Sequence, residues 1–257
     1  MSKGTRYKEN RKSIIIKKLI SIVLFLFFII LFVVSGIKII NYFKDAKSNE
    51  KIFDEISKDI VIEEDNTDSD NTKYNIDFAS LKQKNPDTVG FIKVNGTDIE
   101  HVVVKGKNNS YYLSHNFEKN ENSAGWIFAD YRNKLDGTDK NIIIYGHNMR
   151  NNTMFGTLKN ILNIDWQENE NNRNITFITE NESALYEVFS VYQIEAEDYY
   201  MKTDFNNEEF KKYVNTMKSR SIYDFDVEID EDDSILTLST CGNDNKYRVI
   251  LHAKKVK

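Results

Sequence analysis

The chain of 257 residues has one cysteine, Cys241, one proline and ten glycines. A single cysteine excludes a disulfide within the chain and any metal site built from several thiolates. An excess of basic residues is also missing, because the formal net charge is −5. Nucleic-acid-binding domains usually present a basic face, so the charge balance argues against a nucleic-acid partner. The length allows one domain of ordinary size with extensions.

Charged residues are absent from the apolar run Leu19 to Ile37. About twenty helical residues cross a hydrocarbon core of roughly 30 Å, and the run just meets that length. Seven lysines and arginines stand against one acidic residue in positions 1–18 before it. Because basic residues flanking a membrane span favour the cytoplasmic side, the sequence predicts a cytoplasmic tail at 1–18 and a single-pass anchor at 19–37.

A cleaved signal peptide is the alternative interpretation of this run. Its apolar core usually spans about 7–15 residues and ends at a small-residue cleavage site, but this run is longer and no Ala-x-Ala follows it. A buried core helix is disfavoured because the run is apolar on all faces. The anchor would place the rest of the chain outside the cytoplasm, where an unpaired cysteine is unusual. Cys241 is therefore a candidate reactive thiol, with an inert buried cysteine as the alternative.

Residues 38–75 are expected to form an extracytoplasmic helix and an acidic linker. Ile52, Phe53, Ile56 and Ile60 recur at helical spacing, which predicts an amphipathic helix over 47–62. The acidic run 63–72 has no apolar residue and reads as a solvated linker. A calcium loop is excluded there, because an EF-hand loop needs glycine at its sixth position and glutamate at its twelfth.

Residues 76–257 are rich in β-strand patterns and form the main predicted globular domain. A short helix is expected over Asp77–Lys84, with Asp77 as its N-cap and Pro86 just beyond its end. Asn95-Gly96 between two apolar runs indicates a hairpin. The eight strand candidates are 89–94, 98–104, 125–129, 141–145, 174–179, 184–195, 234–240 and 246–254. Many short strands with few long helices predict an all-β barrel or sandwich with peripheral helices.

One helix is expected late in the domain, over residues 206–219. Phe210, Tyr213, Val214 and Met217 follow the spacing i, i+3, i+4, i+7. The helix falls between the sixth and seventh strand candidates.

Three residues at strand ends suggest nucleophilic catalysis. Cys241 follows the strand 234–240, His147 follows the strand 141–145, and Arg248 lies in the last strand. A free thiol with a pKa of about 8.5 becomes a useful nucleophile when a neighbouring histidine or arginine favours the thiolate. The histidine can protonate a leaving amine, and the arginine can stabilise an oxyanion. The alternatives are an ordinary loop histidine and a surface arginine.

The remaining histidines are His101, His115 and His252, and their spacing does not suggest metal ligands. They are interpreted as structural or surface residues. The expected site therefore contains no metal and no cofactor.

The sequence Thr-Leu-Ser-Thr-Cys (237–241), followed by Arg248 and preceded far upstream by Tyr-Gly-His (145–147), resembles the signature of sortases. These are membrane-anchored cysteine transpeptidases of Gram-positive bacteria. The resemblance covers residues 76–257 and implies an eight-stranded β-barrel. The helix 206–219 is similar to a feature of class B sortases. So are the runs Asn-Ser-Tyr-Tyr-Leu (109–113) and Ile-Phe-Ala-Asp-Tyr-Arg-Asn (127–133).

The resemblance also implies roles for individual residues and for partners. His147, Cys241 and Arg248 take the catalytic positions. The expected substrate contacts are Asn109, Leu113, Tyr145, Ser239 and Thr240. The implied reaction cleaves a C-terminal sorting motif of a surface protein after threonine, in a motif that often begins Asn-Pro. An amine of a peptidoglycan cross-bridge or stem peptide then resolves the thioacyl enzyme.

Two departures and two alternatives accompany the resemblance. The segment from Gly242 to Tyr247 is short for the class, and Gly242 stands where an acidic residue can occur. Asp244 is an available carboxylate nearby and is assigned no catalytic role. An L,D-transpeptidase usually has its cysteine in a Ser-x-Gly-Cys context, which Ser-Thr-Cys-Gly (239–242) does not match. A membrane-tethered β-domain that binds a partner, with Cys241 buried, is the remaining alternative.

Overall fold

A computed structural model describes residues 3–63, 73–241 and 246–256, and for residues 3–10, 62, 63, 73 and 241 it describes the backbone alone. The chain divides into two compact units, Met1–Asp45 and Ala46–Lys257. Helix α1 (Lys3–Ile56) contains the apolar run and continues into the second unit. In the described part of the chain, it is the helix whose length and composition would allow it to cross a membrane.

The helix predicted over residues 47–62 is wrong for its last residues. The α-helix ends at Ile56, a 3-10 turn spans Ser57–Asp59, and strand β1 (Ile60–Glu63) follows. β1 pairs antiparallel with β2 (Lys73–Ile76), so Ile60, Val61 and Ile62 extend. Branching at Cβ favours this extended state over a helix. Residues 64–72 of the predicted linker lie outside the described residues.

Eight strands close into a barrel, which confirms the predicted architecture. Around the barrel the order is β10-β8-β7-β3-β4-β5-β6-β9. The bounds are β3 Thr88–Val94, β4 Glu100–Val104, β5 Phe128–Ala129, β6 Asn141–Gly146, β7 Asn174–Ile178, β8 Ser183–Glu195, β9 Ile235–Cys241 and β10 Tyr247–Lys255. The pairs β6–β9 and β4–β5 are parallel, and the other pairs are antiparallel.

Beyond α1, the described residues form three α-helices: α2 (Phe78–Lys84), which contacts β3, α3 (Ile164–Glu168), and α4 (Asn207–Arg220), which contacts β8. The predicted N-cap of α2 is present, since the Ser80 backbone N–H donates to Asp77 Oδ1. A capping box formed by Asn206 and Glu209 starts α4. The helix buries its predicted apolar stripe and lies between β8 and β9, the sixth and seventh strands of the barrel.

Strand β5 is shorter than the predicted strand 125–129. Gly125 has a φ of 57°, and its N–H bonds the Asn122 carbonyl rather than a strand partner. The Trp126 N–H donates to the Tyr112 carbonyl at 2.9 Å. The strand therefore begins only at Phe128, and the Trp126 N–H instead braces the 3-10 turn Tyr111–Leu113.

Strand β9 is packed on both of its faces. Leu236 and Leu238 alternate with Thr237 and Ser239, and all four are buried. The hydroxyls on the polar face are paired: Thr237 Oγ1 donates to Asn141 Oδ1 at 2.7 Å, and Ser239 Oγ donates to Tyr200 Oη at 3.0 Å. This hydrogen-bonded face leads along the strand to Cys241.

Candidate active site

Strand register brings Cys241, His147 and Arg248 together at one end of the barrel. Gly146 is the register partner of Thr240 in the parallel β6–β9 pair, and His147 and Cys241 each follow one residue later. Arg248 is the register partner of Cys241 in the antiparallel β9–β10 pair. Neighbouring strands lie about 4.8 Å apart. The three residues therefore come from adjacent strands at the same level, with Cys241 on the central one.

The imidazole of His147 is oriented by a backbone carbonyl. Its Nε2 lies 2.8 Å from the Leu113 oxygen. A carbonyl oxygen can only accept, so Nε2 donates and the neutral ring keeps its lone pair on Nδ1. The His147 carbonyl in turn accepts from the N–H groups of Met149 and Phe155 at 3.1 and 3.0 Å. Backbone and ring are thus both fixed, which leaves Nδ1 for proton transfer.

The turn that supplies the Leu113 carbonyl depends on a close backbone approach. The Asn108 side chain accepts from the N–H groups of Ser110 and Tyr111, both at 2.9 Å, and starts the turn. On its other side, a Cβ at Gly125 would lie 2.3 Å from the Tyr112 oxygen. Glycine at 125 therefore satisfies both the positive φ and the space that the turn requires.

Arg248 is half-buried at its place in β10, and its Nη1 donates to the Tyr247 carbonyl at 3.1 Å. The side chain of Cys241 and residues 242–245, which include Asp244, lie outside the described residues.

The predicted substrate contacts lie along the same two central strands and the nearby turn. Tyr145 and Ser239 are register partners, two residues before His147 and Cys241. Leu113 is 42% exposed, and Asn109 is half-buried. Thr240 is buried, and its hydroxyl donates to the Gly146 carbonyl across β6 and β9. Its side chain therefore joins the two strands.

A buried carboxylate that the sequence reasoning did not single out organises this region. Asp130 accepts from Tyr145 Oη at 2.9 Å and from Asn109 Nδ2 at 2.8 Å, both on Oδ2. Arg132 donates from Nε to Oδ1 at 2.8 Å and from Nη2 to Oδ2 at 2.7 Å. Burial acts to raise the pKa of Asp130, but the hydrogen bonds outweigh it and the pKa lies below its ordinary value. Asp130 and Arg132 both lie in the run 127–133, whose similarity to class B sortases was the one feature of the sequence that pointed to them.

The other histidines occupy structural positions. His252 is fully buried, with Nε2 2.9 Å from Tyr192 Oη and Nδ1 2.9 Å from Thr237 Oγ1. Burial and the Arg220 charge lower the pKa of His252 to about 3, so the ring is neutral. His101 is buried and His115 stacks on Tyr111. Within the described residues, no group of three or more His, Cys, Asp or Glu is placed to hold a metal ion.

Comparison with known proteins gives a consistent result. The family model described as the sortase domain matches residues 92–256. Sortase B of Listeria monocytogenes is 34% identical over 231 residues, which cover 88% of this chain and 92% of that protein.

Solved structures give the same picture. The structure of Clostridium perfringens sortase B matches with a TM-score of 0.66 and 41% identity, covering 70% of this chain and 99% of that chain. A Staphylococcus aureus sortase B–substrate complex matches with a TM-score of 0.66 and 35% identity, covering 70% of this chain and 84% of that chain.

Proposed function

The chain belongs to the sortase family, in its class B, and is a cysteine transpeptidase; from this premise we propose that Cys241, His147 and Arg248 catalyse the transfer. The observation that carries the assignment is the register of three adjacent strands, β6, β9 and β10. It brings the only cysteine of the chain next to a histidine and an arginine.

In the first half of the reaction, the Cys241 thiol gives its proton to His147 Nδ1, and Sγ attacks the carbonyl carbon of the threonine in a sorting motif. The oxygen becomes an oxyanion, and the Arg248 guanidinium stabilises it by charge-assisted hydrogen bonds. The carbon–nitrogen bond breaks, and His147 gives its proton to the leaving amine. The products are a thioester on Cys241 and the released C-terminal fragment.

In the second half, an acceptor amine enters and gives a proton to His147. The amine nitrogen attacks the thioester carbon, the carbon–sulfur bond breaks, and a new amide forms. Cys241 and His147 return to their starting states, so no water is consumed. We propose a peptidoglycan amine, from a cross-bridge or a stem peptide, as the acceptor.

For the substrate, we propose a C-terminal sorting motif of a surface protein, cleaved after threonine. Asn109, Leu113, Tyr145 and Ser239 would contact its acyl side, because Tyr145 and Ser239 precede the reactive pair by two register positions. At about 3.3 Å per residue, that separation spans roughly two residues of an extended peptide. Thr240 would contribute through its backbone, because its hydroxyl bonds Gly146.

The location proposed for the enzyme is the cell membrane, crossed once by residues 19–37. The basic tail 1–18 would lie in the cytoplasm and the catalytic domain 76–257 outside it. Residues 38–75 would connect the two. The side chains of the apolar run are exposed in α1, and a hydrocarbon environment would cover them.

The test incubates the full chain in detergent with a library of Asn-Pro-x-Thr-x peptides, each carrying a fluorophore and a quencher at opposite ends. A small diamine is added as the acceptor of the acyl group. Wild type should release fluorescence and form the amide product, and mass spectrometry should detect an acyl-enzyme. Cys241→Ala should abolish all three signals, whereas Ser219→Ala, an exposed hydroxyl on α4, should leave them unchanged. Undiminished cleavage by Cys241→Ala contradicts the mechanism.

A further inference from the structure

Two of the proposed substrate contacts share one buried oxygen. Tyr145 and Asn109 both donate to Asp130 Oδ2, and the Asp130 side chain has no exposed surface. The oxygen of the Asn109 amide is also engaged, since Asn109 Oδ1 accepts from the Tyr131 N–H at 3.0 Å. The carboxylate therefore sets the direction of both side chains. With its hydrogen directed to Asp130, the Tyr145 hydroxyl presents its oxygen as an acceptor.

Burial and the Asp130 charge both favour the protonated form of the Tyr145 hydroxyl. Burial, followed by the Asp130 charge, raises the pKa of Tyr145 above its ordinary value, so the hydroxyl stays protonated. A protonated hydroxyl that donates to a carboxylate offers lone pairs to an N–H of a bound peptide. An extended peptide backbone supplies such N–H groups.

We use the word groove for the proposed peptide-binding surface formed by Asn109, Leu113, Tyr145 and Ser239. Arg132 connects the same carboxylate to a second element beside this groove. Its Nη2 donates to Asp130 Oδ2 and to the Met201 carbonyl, which lies 2.8 Å away. Met201 ends the 3-10 turn Tyr199–Met201, whose Tyr200 hydroxyl accepts from Ser239. The planar guanidinium can make the bidentate contact and the carbonyl contact together, which an ammonium cannot do.

We propose that Asp130 and Arg132 are positioning residues for the sorting peptide. Asp130 fixes Asn109 and Tyr145 on one side of the groove, and Arg132 ties the turn 199–201 to the same point. Neither residue takes part in the transfer steps, so their contribution is to substrate binding rather than to the chemistry at Cys241. This inference rests on the proposed function, and it goes beyond it by assigning two residues to peptide recognition.

The experiment measures kcat and KM separately for the full chain in detergent, with the library peptide that wild type cleaves best. Asp130→Asn should raise KM at least about tenfold, the effect of losing one hydrogen bond to a charged group. Arg132→Lys should raise KM about fivefold, because lysine keeps the charge and loses the fork. In both variants kcat should stay within about threefold of wild type. This result is expected when the lost contact stabilises the bound substrate and the transition state equally.

Matched controls separate positioning from general damage. Asp139→Asn removes a carboxylate in the same β5–β6 connection that accepts from the Lys134 and Leu135 N–H groups. Arg173→Lys changes a half-buried arginine that donates to the Gln167 carbonyl and to Tyr223 Oη, and to none of the proposed substrate contacts. Both controls should keep the wild-type KM. The rate of Cys241 alkylation by iodoacetamide should be the same in all four variants.

A double-mutant cycle tests whether Asp130 acts through Tyr145. Tyr145→Phe alone should raise KM, and adding it to Asp130→Asn should raise KM by less than the product of the single effects. Independent effects on KM, or a loss confined to kcat, would overturn the proposal. If Asp130→Asn does not fold, Arg132→Lys decides alone, since the Arg132 side chain is 39% exposed. Failure of the proposed function itself looks different: wild type would cleave no library peptide.

Discussion

Arg248 is the register partner of Cys241, so a variant that keeps its charge and changes its shape tests the proposed oxyanion role. Arg248→Lys should lower kcat at least about tenfold with a smaller change in KM, because an oxyanion donor acts on the transition state. Steady-state kinetics on the cleavage assay give both values. Arg173→Lys is the matched control and should match wild type. An unchanged kcat in Arg248→Lys would remove Arg248 from the mechanism.

His101 makes the stability of the protein depend on pH. Burial lowers the pKa of His101 to about 4, and a bond to the Met154 backbone opposes this only in part. The unfolded chain titrates near 6.5 and binds the proton first, so the stability is complete above pH 6.5 and is lost as the pH falls towards 4. Among the described residues, His101 Nδ1 has no hydrogen-bond partner.

His101→Phe should therefore reduce the loss of unfolding free energy between pH 7 and pH 4.5 by roughly 2–3 kcal/mol. Urea unfolding at the two pH values measures the difference, and the comparison between pH values cancels any general effect of the new ring. His115→Phe, at a histidine that stacks on Tyr111, should keep the wild-type dependence. Equal pH dependence in His101→Phe and wild type would refute this account.

At this scale, local pattern identified residues at strand ends and missed residues whose partners are distant in sequence. The strand patterns around Cys241, His147 and Arg248 are recognisable in the sequence. The pairing register that brings the three residues together is known only from the fold. Asp130 and Arg132 acquire their environment from Asn109, Tyr145 and Met201, which belong to three other elements. Only the folded chain brings those groups to one carboxylate.

Among the elements, the 3-10 turn Tyr111–Leu113 packs against Gly125 and holds the ring of His147 through the Leu113 carbonyl. Gly125→Ala should displace this turn, because the new Cβ would lie 2.3 Å from the Tyr112 oxygen and alanine disfavours a φ of 57°. The Leu113 carbonyl would then no longer hold His147 Nε2. We expect kcat to fall at least about tenfold, as for a misplaced catalytic group.

Nitrogen-15 NMR of the histidine rings distinguishes this route from simple instability. Wild type and Leu113→Ala, which keeps the backbone carbonyl, should both show the Nε2–H tautomer of His147. Gly125→Ala should show a mixture of tautomers. Gly137→Ala is the matched control, because Gly137 also has positive φ but has open space around it. An unaltered His147 spectrum in Gly125→Ala would show that the turn does not orient the ring.

The helices and strands were predicted correctly where the local sequence pattern agrees with the packing. Their ends were predicted wrongly where contacts with distant residues decide where an element begins or ends. The apolar stripe on α4 and the alternation of residues in β9 were enough to predict these two elements from sequence. The strand β1 was missed because Ile60 also fits the helical spacing of Ile52 and Ile56, and only pairing with β2 selects the extended state. β5 is shorter than predicted because the Gly125 N–H bonds the Asn122 carbonyl and the Trp126 N–H bonds the Tyr112 carbonyl, instead of strand partners.

In the whole molecule, the site residues all belong to the compact unit Ala46–Lys257, and the apolar run belongs to Met1–Asp45. Deleting residues 1–37 should therefore leave peptide cleavage within about threefold of the full chain, since membrane anchoring is a separate free-energy term. The deletion variant should move from the membrane fraction to the soluble fraction. A loss of cleavage with an intact, cooperative unfolding transition would show that the anchor serves the chemistry.

The single cysteine also allows the orientation of the chain to be measured in intact cells. If the basic tail is cytoplasmic, a membrane-impermeant maleimide should label Cys241 in intact cells, because the catalytic unit then faces the medium. The matched control carries Cys241→Ala with Ser13→Cys, which moves the only thiol into the basic tail. That protein should be labelled only after the membrane is permeabilised. Labelling of Ser13→Cys but not of Cys241 in intact cells would reverse the orientation, and with it the access of the enzyme to wall amines.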